Sequence, residues 1–241
     1  MTLTGKTILI TGGTRRIGRL LALSVARAGG NVILHTSQES DATRQTAAEI
    51  EQLGASVWII QADFNRPGEV EGLIERANGM SRLYGVVHNA AIFEPITLLD
   101  TRLEDWQRHL NINLTAPFLL SRDFAAQLRD GEKGRIVTIL DWRALRPQGD
   151  HFPYTITKAA LAAMTQSLAV ALAPNITVNG IALGAVLPPS TGADTSWVER
   201  VVPAKRWAEM DEVGQALIFL LSGPEYITGE ILHLDGGRHL V

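Results

Sequence analysis

Tyr154-Thr155-Ile156-Thr157-Lys158 sets a phenol and an ammonium four residues apart. On a helix, side chains at that spacing share one face. A phenol ordinarily keeps its proton until about pH 10, and an ammonium a few ångströms away stabilises the phenolate and lowers that value. The pair therefore reads as a proton donor tuned toward neutral pH. The chain has no cysteine, which excludes thiolate chemistry, disulfides and cysteine-ligated zinc, and no metal site is expected.

The second constellation is Thr11-Gly12-Gly13-Thr14-Arg15-Arg16-Ile17-Gly18. Gly12 permits a tight turn out of a strand, Gly18 lets the next helix pack closely, and the helix start offers free N–H groups to a pyrophosphate. Residues 1–38 hold Lys6, Arg15, Arg16, Arg19 and Arg27 and no acid, although the net charge of the chain is −3. Something anionic is expected near that segment. NAD sites usually end the second strand in Asp or Glu, which holds the ribose 2′-hydroxyl. Here the residues are His35-Thr36-Ser37, which do not repel a 2′-phosphate, and Arg15 and Arg16 supply charge to hold one. NADP(H) is expected over NAD(H). Asp63, with Phe64 after it, follows the third strand-like run and can accept from an adenine amino group. Lys158 can also bind the nicotinamide ribose.

The scaffold follows from the apolar pattern. Strand-like runs lie at Thr7 to Thr11, Asn31 to His35, Val57 to Gln61, Leu83 to His88, Arg135 to Leu140, Thr177 to Ala182 and Ile231 to Leu234. They are continuous rather than alternating, as in strands buried on both faces of a parallel sheet. Helical stretches fall between them at 16–29, 41–53, 67–77, 103–128, 154–173 and 212–222. This alternation predicts one α/β domain over 1–241: a Rossmann-like, doubly wound parallel sheet of about seven strands with helices on both faces. Ligands of such sheets sit at the carboxyl ends of the strands. The longest apolar runs are about six residues, far short of the roughly 20 a membrane span needs. No secretory leader is expected, and a soluble cytoplasmic protein fits best. With Lys plus Arg at 22 and Asp plus Glu at 25, the charge gives no general pull toward nucleic acid.

With these motifs in order, the chain resembles a short-chain dehydrogenase/reductase over essentially its full length. The pattern appears as Thr11 to Gly18, Asn89-Ala90-Ala91 after the fourth strand, Asn113 in the fourth helix, Tyr154 with Lys158, and Leu234-Asp235-Gly236-Gly237 near the end. The resemblance implies that Tyr154 is the general acid, that Lys158 binds ribose and tunes the tyrosine, and that Asn113 keeps a water in the proton relay. It also implies that Asn89, Ala90 and Ala91 lie along the cofactor, and that Ile181 to Leu187, with Gly184 and Val186, closes over the nicotinamide.

The departures narrow the substrate. Arg16 stands at the middle glycine of the usual T-G-x-x-x-G-x-G, and Asp141, 13 residues before Tyr154, stands at the usual catalytic serine. Both changes resemble pteridine reductases, as does Phe93, four residues after Asn89, where that subfamily stacks an aromatic on the pterin. The run Asp235 to Leu240 resembles dihydromonapterin reductases. In a ketone reductase, oxygen gains negative charge, so a serine hydroxyl helps and an ionised Asp141 repels. A pterin instead presents amino and ring N–H donors that a carboxylate accepts. Reduction of a dihydropterin to the tetrahydro form, with Asp141 joining Tyr154 in proton delivery, is therefore expected. The competing readings are a carbonyl reductase or alcohol dehydrogenase of the same family, such as a 3-oxoacyl thioester reductase, and a non-catalytic NADP(H)-binding sensor. The resemblance further implies a homotetramer and a substrate lid around 188–207, with Trp197 a substrate-facing aromatic.

Overall fold

The structure is a computed structural model in which residues 2–188 and 195–241 are described. Seven parallel strands form one sheet: β1 (Thr7–Ile10), β2 (Asn31–Thr36), β3 (Val57–Gln61), β4 (Leu83–His88), β5 (Gly134–Asp141), β6 (Ile176–Leu183) and β7 (Ile231–Leu234), in the order β3-β2-β1-β4-β5-β6-β7. Strand direction dictates the layers. Ile8, Ile10, Val32, Leu34, Val87, Val137 and Ile181 point to one face, under α1 (Arg16–Arg27), α2 (Asp41–Gln52) and α9 (Met210–Ser222). Leu9, Ile33, Val86, Ile136 and Val178 point to the other. That face is covered by α3 (Pro67–Val70), α4 (Leu73–Met80), α5 (Leu103–Leu110), α6 (Ala116–Ala126) and α7 (Phe152–Leu172). Period-two alternation thus feeds two cores, which explains why each strand is apolar throughout. The short helix α8 (Trp197–Val201) precedes α9.

The strand order reverses between β1 and β4, opening a crevice at their carboxyl ends. Two predicted helices are divided. The 67–77 stretch breaks into α3 and α4 because Gly72 takes φ 71°, a left-handed conformation that ends one helix and caps the next. The 103–128 stretch passes through a π-helical turn, Asn111–Thr115, between α5 and α6. Such turns occur frequently at functional sites, and this one carries Asn113. Helix α7 is apolar and long enough to cross a membrane by length and composition alone. Here one side of it packs on β5 and β6, while Ile156 and Val170 stay exposed.

Candidate active site

The turn after β1 is built by hydrogen bonds that use up its polar groups. The Thr11 hydroxyl accepts from the N–H groups of Asn89 (2.9 Å) and Ala90 (3.0 Å), and the Asn89 amide donates to the carbonyls of Thr11 (2.9 Å) and Gly12 (3.1 Å). A Cβ on Gly18 would collide with the Gly12 carbonyl, so only glycine lets α1 start this close. The result is a cavity of about 430 Å³ lined by Gly12, Arg15, Arg16, Ile17, Gly18, Ser37, Asp63, Phe64, Asn89, Ala90 and Ala91, among others. Among the described residues neither Arg15 nor Arg16 has an acid partner. Arg16 takes φ 48°, a conformation that costs a non-glycine residue roughly 1 kcal/mol or more. Its guanidinium is thus held at the cavity against the backbone's preference. A basic, glycine-lined hollow with an exposed Ser37 and no acid at the end of β2 fits a dinucleotide carrying a 2′-phosphate.

Several residues expected to touch the cofactor also have partners within the protein, and of these His35 and Asp63 line the cavity. His35 is buried, with Nδ1 accepting from the Gly12 N–H (3.1 Å), Nε2 facing the Ala62 carbonyl (3.0 Å), and its ring stacked on Phe64 at 4.0 Å. Burial lowers its pKa to about 4, so it is a neutral pin for the turn rather than a phosphate ligand. Thr36 donates its hydroxyl to the Gln38 carbonyl, which leaves Ser37 as the free hydroxyl of that run. Thr14 is buried, its carbonyl accepting from Thr46. Asp63 caps the turn that follows it, accepting from the Asn65 N–H at 2.9 Å. Gly184 lies against Asp235, where a Cβ would not fit, and Val186 is buried in the core.

On the other side of the crevice, β5 ends in Asp141 and α7 begins two residues before Tyr154. The Tyr154 hydroxyl donates to Asp141 Oδ2 at 3.0 Å, while Asp141 Oδ1 accepts from the Arg143 N–H at 2.9 Å. Lys158 donates from Nζ to the Ile139 carbonyl (2.6 Å) and lies 5.7 Å from the Tyr154 ring centroid. The electrostatics differ from the tuning expected of the tyrosine. Burial, and then the Asp141 charge, push the phenol well above its ordinary pKa, while burial lowers Lys158 to about 8. With the carboxylate in place of a serine, Tyr154 is a neutral donor whose proton points at Asp141. Asn113 is equally committed: its amide donates to the Ile92 carbonyl (3.1 Å) and the Thr157 hydroxyl (3.0 Å) and accepts from the Ile92 N–H (2.9 Å). Its side chain braces the site, and any water it holds must be held by its backbone.

Phe93 is about half exposed, stacked face to face on His151 at 3.9 Å and edge-on to Tyr154 at 4.6 Å. One face of the ring expected to stack substrate is thus already covered by an imidazole. His151 caps α7 with φ 50°. Trp197 packs against Trp207 and beside Arg238 rather than against Tyr154. Of the lid expected at 188–207, residues 189–194 lie outside the described residues, and the remainder includes α8. Trp142, Arg143, Asp150, His151 and Arg238 form the outer rim, with Arg143 paired to Asp150 at 2.9 Å. Sequence spacing gave these five no role, although four flank Asp141 or Tyr154 closely.

Comparison with known proteins agrees with this arrangement. A family model described as enoyl-(acyl carrier protein) reductase matches residues 12–239. A 3-oxoacyl-[acyl-carrier-protein] reductase of Synechocystis is 31% identical over 240 residues, covering 98% of this chain and 97% of the relative. Among solved structures, FolM alternative dihydrofolate reductase 1 from Brucella canis, complexed with NADP, is 32% identical with a TM-score of 0.92, covering 100% of this chain and 97% of that one. A short-chain dehydrogenase from Burkholderia cenocepacia in complex with NADP is 34% identical with a TM-score of 0.91, covering 99% of each chain. With its glycine turn at the β1/β4 crevice and its Tyr-Lys pair at the start of α7, the chain belongs to the short-chain dehydrogenase/reductase family.

Proposed function

We propose that this protein is an NADPH-dependent reductase of a pterin, converting a dihydropterin to the tetrahydro form. The coarser statement is firm: it is an oxidoreductase of the short-chain family that uses NADP(H). Arg15, Arg16 and Ser37 would hold the 2′-phosphate, the N-terminus of α1 the pyrophosphate, Asp63 and Phe64 the adenine, and Asn89 to Ala91 the length of the cofactor. When bound, NADPH supplies a hydride.

The observation that carries the substrate reading is the 3.0 Å hydrogen bond from Tyr154 to Asp141 beside the Phe93 ring. A carboxylate there opposes the oxyanion of a reduced ketone and accepts from the amino and ring N–H groups of a pterin. Tyr154 donates its proton to a ring nitrogen, and Asp141 positions that proton beforehand. Lys158 keeps positive charge beneath the phenol, and Asn113 locks α7 to the loop at Ile92. Phe93 offers its ring for stacking, worth about 0.5–1.5 kcal/mol beyond burial, with His151 swinging aside. The FolM neighbours point the same way. A homotetramer, built through α5, α6 and α7, and a cytoplasmic location are part of this reading.

A second reading, reduction of a 3-oxoacyl thioester, is favoured by the names of several sequence relatives. Purified protein should oxidise NADPH with dihydrobiopterin, dihydromonapterin or dihydrofolate. Folded protein that is inert toward all three yet reduces an acetoacetyl thioester would replace the first reading with the second.

A further inference from the structure

The rim beside Asp141 holds positive charge that the proton chemistry does not use. The guanidinium carbons of Arg143 and Arg238 lie 5.1 and 4.8 Å from the centroid of the same Trp142 ring, and Arg238 also lies 5.9 Å from the Trp197 ring. Among the described residues, the Nε atoms of both arginines are buried without a hydrogen-bond partner. Arg143 keeps Asp150. Among the described residues, the Arg238 side chain donates to the Val201 carbonyl, at 3.4 Å, and neither it nor Arg146 has an acid partner. Asp235, three residues before Arg238, spends its carboxylate on the N–H groups of Gly237 and His239 and on the His239 ring. Burial first, then Arg146 and Arg143, push the Arg238 guanidinium below its ordinary pKa. Like charges gathered in a half-buried place are unfavourable until an anion joins them.

The groups also form a chain of neighbouring contacts. Phe93 touches Tyr154, Arg143 lies 5.9 Å from the Phe93 ring, Trp142 adjoins Arg143, and Arg238 follows. We propose that Trp142 and Arg238, beside Arg143, form a subsite for an anionic tail of the substrate. The ring to be reduced then lies at Phe93 and Tyr154, and its charged extension reaches the C-terminal turn. The Trp142 ring holds the two guanidinium groups in place, and the Arg238 fork takes a carboxylate or phosphate through paired N–H donors. Placing the reacting ring at the inner end rests on the pterin reading; the anion subsite does not. The site is separate from the one expected to hold the cofactor 2′-phosphate, which Arg15, Arg16 and Ser37 line.

The test is calorimetric binding to NADP+-loaded protein, with cofactor affinity of each variant reporting its fold. The probes are p-aminobenzoylglutamate, an aromatic dicarboxylate, coenzyme A, a phosphate-bearing arm, and p-aminobenzamide as the uncharged control. At least one anionic probe should bind, weaken tenfold or more in R238Q, recover in part in R238K, and weaken with added salt. Which probe does so tells carboxylate from phosphate. Absence of binding by both, or equal binding by wild type and R238Q, would overturn the subsite. A dihydropterin assay run alongside separates the two proposals: no NADPH oxidation with Arg238-dependent probe binding removes the pterin reading and leaves the subsite standing.

Discussion

The two sides of the crevice solve opposite problems. On the β1–β4 side, the polar groups that build the turn are paired within the protein, Thr11 with Asn89 and Ala90, and His35 with Gly12 and Ala62; the buried Nδ1 of His88 at the end of β4 is the exception. Only Arg15, Arg16 and Ser37 reach outward. On the β5–β7 side, the Nε atoms of Arg143 and Arg238, both beside the Trp142 ring, are buried without a hydrogen-bond partner among the described residues. A buried unpaired donor costs about 1–3 kcal/mol, so that side keeps donors that a ligand would satisfy. The difference teaches that the cofactor half is preformed, while the substrate half is completed by what binds. Placing the specificity of the enzyme in its second half follows from that.

The sharpest break of this comparison is Tyr154→Phe. It should cut turnover by about 10²–10⁴-fold while leaving NADPH affinity, measured by fluorescence titration, within a factor of two or three. Loss of both together would mean the halves are not independent. Asp141→Ser is next. It should lower dihydropterin reduction by about 10-fold or more and leave reduction of an acetoacetyl thioester unchanged or improved, because a hydroxyl donates to a developing oxyanion where a carboxylate opposes it. A fall on both substrates in steady-state assays would make Asp141 a fold residue rather than a discriminator.

The preformed half was the more legible in sequence, for a physical reason. Gly12, Gly18 and the continuous strands express backbone demands, which only a few residue types meet. What spacing could not reveal is that His35 satisfies the turn internally, because the Ala62 carbonyl and Phe64 reach it from a neighbouring strand end. The bracing role of Asn113 is hidden for the same reason: its partners Ile92 and Thr157 lie 21 and 44 residues away. The substrate half was legible at Asp141, Tyr154, Lys158 and Phe93. His151 stacking on Phe93, and Arg238 returning from the chain end to Trp142, are long-range meetings that local pattern does not encode. Spacing shows the cation near the phenol but not the burial of the phenol or the carboxylate facing it, which together reverse the sign of the tyrosine shift.

Smaller effects sharpen the same contrast. Arg16→Gly removes the guanidinium and relieves the left-handed backbone at φ 48°. NADPH should bind about 10-fold more weakly, with NADH little changed and thermal stability equal or higher; equal losses for both cofactors would remove Arg16 as the reader of the 2′-phosphate. On the substrate side, turnover should fall as pH rises through about 8, where Lys158 loses its proton. Tyr154 stays protonated across that range, so the falling limb belongs to the lysine and should vanish in Lys158→Met, whose residual rate should be flat with pH. Stability should move the other way. The unfolded chain binds this proton up to about 10.5, so it holds more protons than the native state between 8 and 10.5, and stability rises with pH there.

The smallest effect tests the pinned half alone. His35 is neutral in the fold, with a pKa lowered by burial from 6.5 to about 4. Above pH 6.5 it is neutral in both states and its contacts count in full. As pH falls from 6.5 toward 4, the unfolded chain takes up a proton that the native state refuses, and stability drops by up to about 1.4 kcal/mol per pH unit from this group. His35→Gln keeps a donor and an acceptor but cannot titrate. Urea melts of the variant should therefore start somewhat less stable at pH 7, because the stacking on Phe64 is lost, and should decline less steeply than wild type on acidification to pH 5. Parallel declines would show that the imidazole is charged in the fold after all. The first turn would then present a cation to the cofactor, and the division between a self-satisfied half and a ligand-completed half would fail at its best-defined residue.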